Sequence, residues 1–313
     1  MSRASGKIQS VLIAGPTASG KSRLALELAE ACDGVVVNAD SMQVYAGLAI
    51  LSAQPTEADR AAAEHRLYGH VDPATNYNVG AWARDAGEVL ADLRRAGRIA
   101  IVCGGTGLYF RALLGGIDDM PEIPPAIRAA WRQRLLDTGP EDLHAQLLQR
   151  DPEAAGRIRP GDSQRVLRAL EIVETSGGPL AALQRGRGLP LLDAARSLQI
   201  LLTPPRAVLR ANIAQRFDMM LAEGALEEAR VFAAIPGALA GTAGKAIGVA
   251  ELGRYLAGQC SLDEARERAV IRSRQYAKRQ DTWFRHQFDA QWQRLEAVSP
   301  IHRSDLIAAV KVG

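Results

Sequence analysis

The sequence predicts an α/β fold, a doubly wound and mostly parallel sheet with a helical domain inserted into it. Three observations carry that prediction. Short apolar runs suited to buried strands occur at residues 8–14, at Val35-Val36-Val37, at Ile99-Ala100-Ile101-Val102 and from Leu198 to Leu202. Helical periodicity fills the intervals between the first three runs. From about 126 to 190 that periodicity continues with no strand signature at all. Strands that alternate with helices make a parallel sheet covered on both faces, so each strand is apolar throughout rather than at every second residue.

The elements follow in order. The run 8–14 meets Gly15-Pro16-Thr17-Ala18-Ser19-Gly20-Lys21-Ser22, and Leu24, Leu28 and Ala31 then recur at helical spacing, so strand, glycine loop and helix are expected. The second strand ends in Asn38-Ala39-Asp40. Trp82, Ala86, Val89, Leu90 and Leu93 share one helical face, and the next strand closes on Gly104-Gly105-Thr106-Gly107. Near Met120 the pattern changes at Pro121, Pro124 and Pro125. The expected organisation is a first part of the core over 1–120, a helical insertion over 121–192, and a completion of the core with basic C-terminal helices over 193–313. In that last part Leu209, Ile213, Phe217 and Leu221 mark a long amphipathic helix, and a basic helix spans about 262–288.

Residues 15–22 satisfy G-x-x-x-x-G-K-[ST] in full, in the strand-to-helix context that gives the motif its meaning, which makes this a P-loop. Glycines let backbone N–H groups turn inward around an oxyanion, and the positive end of the following helix points at the same place. Lys21 adds a point charge and the Ser22 hydroxyl a ligand for Mg²⁺, so Gly15, Pro16, Thr17, Ala18, Ser19, Gly20, Lys21 and Ser22 are expected to bind a diphosphate or polyphosphate. Most such loops serve ATP or GTP, and a small-molecule kinase is the first rival. Kinases of this type carry a strand ending in an acid that helps hold Mg²⁺. Here the strand at 99–102 ends in Cys103-Gly104. Asp40, after the neighbouring apolar run, is either the acid that works at the site or a cap on its own turn. Thr106 is either a hydroxyl donor to a developing charge or a turn hydroxyl.

Bulk composition narrows the class without naming it. The 313 residues are 47% hydrophobic and 23% charged, with 38 Lys+Arg against 35 Asp+Glu, as in an ordinary globular protein of near-neutral balance. No apolar run approaches ~18 residues and Met1 to Ser10 holds no export signal, so a cytoplasmic protein without a membrane span is expected. Cys32, Cys103 and Cys260 form no metal or CxxC spacing and are expected as buried, reduced thiols. His65 and His70 have no paired ligand at metal spacing.

Seven segments together resemble the tRNA dimethylallyltransferase (isopentenyl-tRNA transferase) family, bacterial type. They are GPTASGKS (15–22), NADSMQVY (38–45), HRLYGHVDP (65–73), CGGTGLYF (103–110), DSQRVLRALE (162–171), KAIGVAEL (245–252) and YAKRQDTWFR (276–285). The resemblance runs the length of the chain. It departs in one place, where Val249 stands at the position the family usually gives to tyrosine. It also lacks the zinc finger of eukaryotic relatives. The resemblance implies transfer of the dimethylallyl group from dimethylallyl diphosphate to the exocyclic N6 amine of the adenosine 3′-adjacent to the anticodon in tRNA, with release of diphosphate. Mg²⁺ is the implied cofactor, the anticodon stem-loop the implied partner, and a monomer the expected state.

The resemblance also assigns roles. Asp40 becomes the general base that accepts a proton from a poorly nucleophilic amine. Thr106 donates to the bridging oxygen of the leaving diphosphate, and Arg216 contacts that diphosphate. Asp40, Ser41, Met42 and Gln43 are implied to meet the tRNA, as are Gln164, Arg165, Val166, Leu167 and Arg168. The basic run Arg272, Arg274, Lys278, Arg279 and Arg285 against Asp281 suits RNA phosphates, with Lys278 and Arg279 as its expected contacts. Tyr276 and Trp283, like Ala277 and Phe284, lie seven residues apart, so Trp283, Phe284 and Phe288 are expected in packing rather than base stacking. A prenyltransferase for free adenosine phosphate would leave the insertion and the basic helix without a task, and a non-catalytic RNA-binding protein would need no P-loop.

Overall fold

The computed structural model describes residues 8–118, 120–183 and 188–312. Positions 1–7, 119, 184–187 and 313, which belong to the three expected domains and to the N-terminal segment read above, lie outside them. The chain divides into two compact units. One takes the residues up to Leu114 together with those from Leu191 onward, and the other runs from Gly115 to Pro190.

The first unit opens with β1 (Ser10–Ala14), α1 (Lys21–Cys32), β2 (Val35–Asn38), α2 (Glu57–Ala62), β3 (Glu64–Arg66), α3 (Val79–Arg95), β4 (Ala100–Gly104) and α4 (Gly107–Gly115). The second holds α5 (Pro125–Arg150), α6 (Pro152–Arg157), α7 (Ser163–Ser176) and α8 (Leu180–Leu183). The chain then returns to the first with β5 (Ser197–Leu202), α9 (Arg206–Ala222), α10 (Ala225–Ala233), α11 (Val249–Leu256), α12 (Leu262–Gln287), β6 (Gln293–Leu295) and α13 (Pro300–Val312).

The sheet has six strands in the order β3-β2-β4-β1-β5-β6, and every pairing among the described residues is parallel. β4 lies between β1 and β2, with Ala14 opposite Gly104 and Asn38 opposite Cys103. From β1 the chain therefore crosses to one side for β2 and later to the other for β5. At such a reversal the loops leaving the strand ends diverge and open a crevice, here between the ends of β1, β4 and β2. The runs read as strands in the sequence are the four inner strands. β3 and β6 are three-residue edge strands with the sequences EHR and QRL, which carry no apolar signal.

One face of the sheet presents Val11, Ile13, Val36, Ile101, Ile200 and Leu202 to Leu24 and Leu28 of α1 and to Leu306 and Val310 of α13. On α3 the helical face read from the sequence is buried at Trp82, Ala86, Leu90 and Leu93. The Trp82 ring stacks on Tyr109 at 4.1 Å and its Nε1 donates to the Asn38 carbonyl at 3.0 Å, which ties α3 to the end of β2. Phe284 and Phe288 are buried, and Trp283 packs edge-on against both, so the aromatic cluster of α12 belongs to the interior as expected.

In the second unit α5 is broken at Gly139-Pro140, where Gly139 has φ 83°, and folds back so that Trp131, Leu143 and Leu147 meet Ala155, Val166 and Leu170. The buried Asp151 accepts from Ala154 N and Leu180 N and so fastens α6 and α8. The cysteines differ from expectation. Cys103 is buried, whereas Cys32, at the last turn of α1 and at the margin of the core, and Cys260, in the turn before α12, are partly exposed.

Two strand ends meet at Gly104. A Cβ there would stand 2.0 Å from the Ala39 carbonyl oxygen, a backbone atom held in place by Ala39 N donating to Cys103 O and Thr106 N donating to Ala39 O. Gly104→Ala is expected to destabilise the fold by about 1–3 kcal/mol, the usual range for overpacking at a rigid contact. The shift in urea midpoint measures it.

Candidate active site

The glycine loop leaves β1 at Ala14 and enters α1 at Lys21. Two residues take left-handed backbone to make the turn, Ala18 at φ 62° and Gly20 at φ 88°. Only glycine adopts that region without steric penalty, so Gly20 is the stable pivot and Ala18 carries strain. The loop is braced from three directions. Thr17 N donates to Gln280 Oε1 at 2.9 Å, Asn212 Nδ2 donates to Ala18 O at 3.1 Å, and Arg216 Nη1 donates to Thr17 Oγ1 at 3.3 Å. Ser19 Oγ is buried without a partner among the described residues.

Lys21 is buried, and its Nζ reaches a single oxygen, that of Pro16, at 3.4 Å. Burial pulls its ammonium below the ordinary lysine range, against the opposing pull of Asp40. Burial also lowers the Arg216 guanidinium from its usual value. Both cations are turned toward the same carboxylate and hold no ion pair of their own among the described residues, so the site is short of negative charge. Cys103, beneath them, is pushed up to about 12, chiefly by burial, and is a neutral thiol.

Asp40 follows β2. Its N–H donates to Asn38 Oδ1 at 2.8 Å, and Asn38 Nδ2 donates back to Asp40 O and to Leu67 O, both at 3.0 Å, fixing the backbone. Its Oδ1 accepts from Met42 N at 3.0 Å, so the carboxylate does cap its own turn. The other oxygen, Oδ2, stands 3.1 Å from where a Gly105 Cβ would be, which aims it at the turn after β4. Thr106 closes that turn. Its hydroxyl accepts from Ser41 N at 2.9 Å and donates to Ser41 Oγ at 3.2 Å, so the two turns are laced together.

An open cavity runs past the loop and Asp40, and Thr106 stands behind its lining, bonded to Ser41. Thr17, Ala18, Lys21, Ser22 and Arg216 form its cationic and polar end, with Asp40, Gln43 and Tyr276 beside them. Leu51, Ile213, Phe217, Met220 and Ile247 form an apolar wall, with Met42. The wall escaped sequence reading because its members come from three segments and look like ordinary core residues. Ile213 and Phe217 were visible only as the buried stripe of α9. Gln280, within the segment 276–285 singled out above, and Asn212 both shape the glycine loop, a role that neither shows in sequence.

The remaining expected residues are placed as follows. Gln43 is buried, and its amide donates to the carbonyls of Ser52 and Ala53, closing the 43–53 loop. On α7, Gln164, Arg165 and Arg168 are exposed, Arg165 against Asp162 at 3.3 Å and Arg168 against Glu171 at 3.6 Å. Leu167 is half-buried and Val166 is wholly inside the core of the second unit. Val166 therefore has only its backbone to offer a ligand. Lys278 and Arg279 are exposed on α12, with Arg279 over the Tyr276 ring at 5.7 Å. Val249 is buried at the start of α11. Among the described residues no helix is long and apolar enough to cross a membrane, and no group of three His, Cys, Asp or Glu could hold a metal ion.

Comparison with known proteins agrees over the whole chain. The profile of the IPP transferase family matches residues 43–287, and that of isopentenyl transferase matches residues 8–76. The chain is 49% identical over 294 residues to the tRNA dimethylallyltransferase of Sinorhizobium medicae, covering 94% of this chain and 96% of the relative. It is 52% identical over 284 residues to that of Chelativorans sp., covering 91% and 97%. Among solved structures it is similar to the full-length tRNA isopentenylpyrophosphate transferase of Bacillus halodurans, with TM-score 0.68 and 31% identity over 98% of this chain and 96% of that one. A eukaryotic dimethylallyltransferase acting on tRNA gives TM-score 0.74 and 29% identity over 88% of this chain and 70% of that one.

A buried, unpaired lysine opposes folding while it waits for a ligand. Its folded-state pKa is lowered, so the free protein binds that proton less tightly than the unfolded chain does. The penalty is present at neutral pH and fades as pH rises through the lowered value. Lys21→Met is expected to raise the urea midpoint at pH 7 by about 1 kcal/mol of stability, as substitutions at strained functional positions do. The gain should shrink at high pH, and diphosphate binding should be lost.

Proposed function

Because the chain belongs to the IPP transferase family, we propose that it transfers a dimethylallyl group from dimethylallyl diphosphate to tRNA, at the exocyclic N6 amine of the adenosine 3′-adjacent to the anticodon, releasing diphosphate. One observation carries the donor assignment: a single cavity joins a cationic, N–H-rich end to an apolar wall. A dianionic head on a five-carbon hydrocarbon tail has that same division of polarity. A kinase would need room for a nucleotide base and an acid at the end of β4, where Cys103 and Gly104 stand.

The diphosphate lies in the glycine loop, a P-loop in function, against Lys21, Arg216 and the loop N–H groups. The orphaned Ser19 hydroxyl and the two unpaired cations make the loop complementary to a polyanion. The hard oxygen of Ser22, at the loop's edge, suits Mg²⁺, which keeps most of its water and binds through substrate phosphates. When bound there, Mg²⁺ would neutralise charge on the diphosphate. The N6 lone pair attacks C1 of the dimethylallyl group while the C1–O bond to diphosphate breaks. Asp40 Oδ2 takes the proton released from N6. Thr106, turning its hydroxyl away from Ser41, donates to the departing bridging oxygen. A short donor tail places the reacting carbon beside Asp40 and Thr106, at the junction of the two laced turns.

tRNA is held by phosphate neutralisation at two basic sets, Arg165 and Arg168 on α7 and Lys278 and Arg279 on α12. Each set is exposed, and its ion pairs are long or, for Lys278 and Arg279, absent among the described residues, which leaves charge for a polyanion. An adenosine stacked in the anticodon loop must be extruded for its amine to reach the cavity, which a single-stranded loop permits at modest cost.

Two measurements check this reading. With labelled dimethylallyl diphosphate, unmodified tRNA should acquire label and AMP should not; labelled AMP, or phosphoryl transfer from ATP, would contradict it. The tRNA dissociation constant should rise steeply with salt, by a log–log slope of about 0.7 per single-stranded phosphate contact. Charge removal at Arg165, Arg168, Lys278 or Arg279 should flatten that slope while leaving donor affinity unchanged, and four wild-type slopes would remove both basic sets from the RNA surface.

A further inference from the structure

Gln280 is a buried polar residue on a helix otherwise notable for exposed cations. Its side-chain amide uses both ends at once. Oε1 accepts from Thr17 N in the glycine loop at 2.9 Å, and Nε2 donates to Gly105 O in the turn before Thr106 at 2.9 Å. The two segments it joins lie 263 and 175 residues away in sequence. No other side chain in the described site bonds both.

The fit leaves no slack. A Cβ on Gly105 would come within 2.2 Å of Gln280 Nε2 and 3.1 Å of Asp40 Oδ2, so the amide and the carboxylate both crowd the space that a side chain at this glycine would take. One turn further along α12, the Trp283 ring lies where a Gly107 Cβ would stand, at 2.0 Å. The glycines flanking Thr106 are therefore shaped to receive α12. Tyr276, four residues before Gln280 and on the same helical face, lines the cavity itself.

We propose that Gln280 is a positioning residue for the transfer reaction: from α12 it holds the diphosphate loop and the Thr106 turn in one fixed relation. The inference rests on reading this cavity as the transfer site. Donor head and general base are carried by different strands, so their alignment depends on what cross-links the loops. A misplacement of about 1 Å between reacting groups lowers rate by about 10²-fold without weakening substrate binding in proportion. The helix that carries the link also carries Lys278 and Arg279, so the element gripping RNA phosphates is the one that aligns the donor.

Two variants test it. Gln280→Met keeps volume and removes both loop hydrogen bonds, together with the amide's bond to the Tyr276 hydroxyl. It should lower kcat about 10–100-fold, leave the KM for tRNA within twofold, and weaken binding of inorganic diphosphate severalfold. Gln280→Glu keeps the acceptor for Thr17 N but sets a second carboxylate near Asp40. The charged and titratable neighbours of Asp40 are otherwise Lys21 from α1, Arg216 from α9, Cys103 from β4, Tyr109 from α4, Tyr276 from α12 and Tyr68 from the loop after β3. A like charge favours the protonated carboxyl, so the acidic limb of the kcat–pH profile should move up by about one unit. A residue that only packed the helix would not move that limb. Gln280→Met within twofold of wild type in both kcat and diphosphate affinity would overturn the inference, as would a Gln280→Glu profile superimposed on wild type. A wild-type protein inert toward dimethylallyl diphosphate and tRNA would overturn the proposed function instead, and Gln280 would then be judged on inorganic diphosphate affinity alone, an unchanged affinity refuting it.

Discussion

The closest backbone approach in the site is that of Gly104, at the end of β4, to the Ala39 carbonyl, one residue past β2. Only a residue without Cβ lets the two strand ends come together, and three features follow from it. Thr106 N reaches Ala39 O, Ser41 N reaches the Thr106 hydroxyl, and Asp40 is left with one carboxylate oxygen turned toward Gly105. Because β4 is also the neighbour of β1, the same junction stands beside the glycine loop. A strand order that reverses at β4 thus assembles an anion cradle, a carboxylate and a hydroxyl at one crevice.

The free site is built against its own stability. Lys21 is desolvated with one long contact, Arg216 is half-buried with a threonine hydroxyl for a partner, Ala18 holds a left-handed backbone, and Ser19 hides a hydroxyl without a partner among the described residues. Each feature is unfavourable alone, and the cations and the unpaired hydroxyl are complementary to the polyanion proposed for the loop. Such preorganisation stabilises charge that develops on a leaving group, because the dipoles and cations are already in place when the bond breaks.

Much of this was legible in the sequence, for a physical reason that also marks the limit. A glycine loop, an acid after an apolar strand and a buried helical stripe are local patterns, and Gly15–Ser22, Asp40 and Trp82–Leu93 were read from them. The inner strands were equally visible because both faces are buried. β3 and β6 were not, since three residues with at most one apolar side chain become a strand only by pairing with a neighbour's edge. Gln43 reads as a ligand contact because it follows Asp40, and it does line the cavity, but its second task, donating to Ser52 and Ala53, is invisible in sequence. Gln280 falls within the resembling segment 276–285, but its role, like that of Asn212, is not legible there because the partners lie across the fold. What single-sequence reading misses here is cross-linking between loops, the property that turns three separate strand ends into one site.

The central claim is that the Asp40 carboxylate takes the proton from the attacking amine. Asp40→Asn isolates that role, since asparagine retains the Oδ1 acceptor for Met42 N and so the shape of the turn, and removes only the charge. The decisive measurement is the single-turnover rate of dimethylallyl transfer to tRNA in the preformed ternary complex, with donor and tRNA affinities measured alongside. The predicted result is a fall of about 10²–10⁴-fold with both affinities preserved. A rate close to wild type would remove Asp40 from the chemistry and leave it only the capping of its own turn.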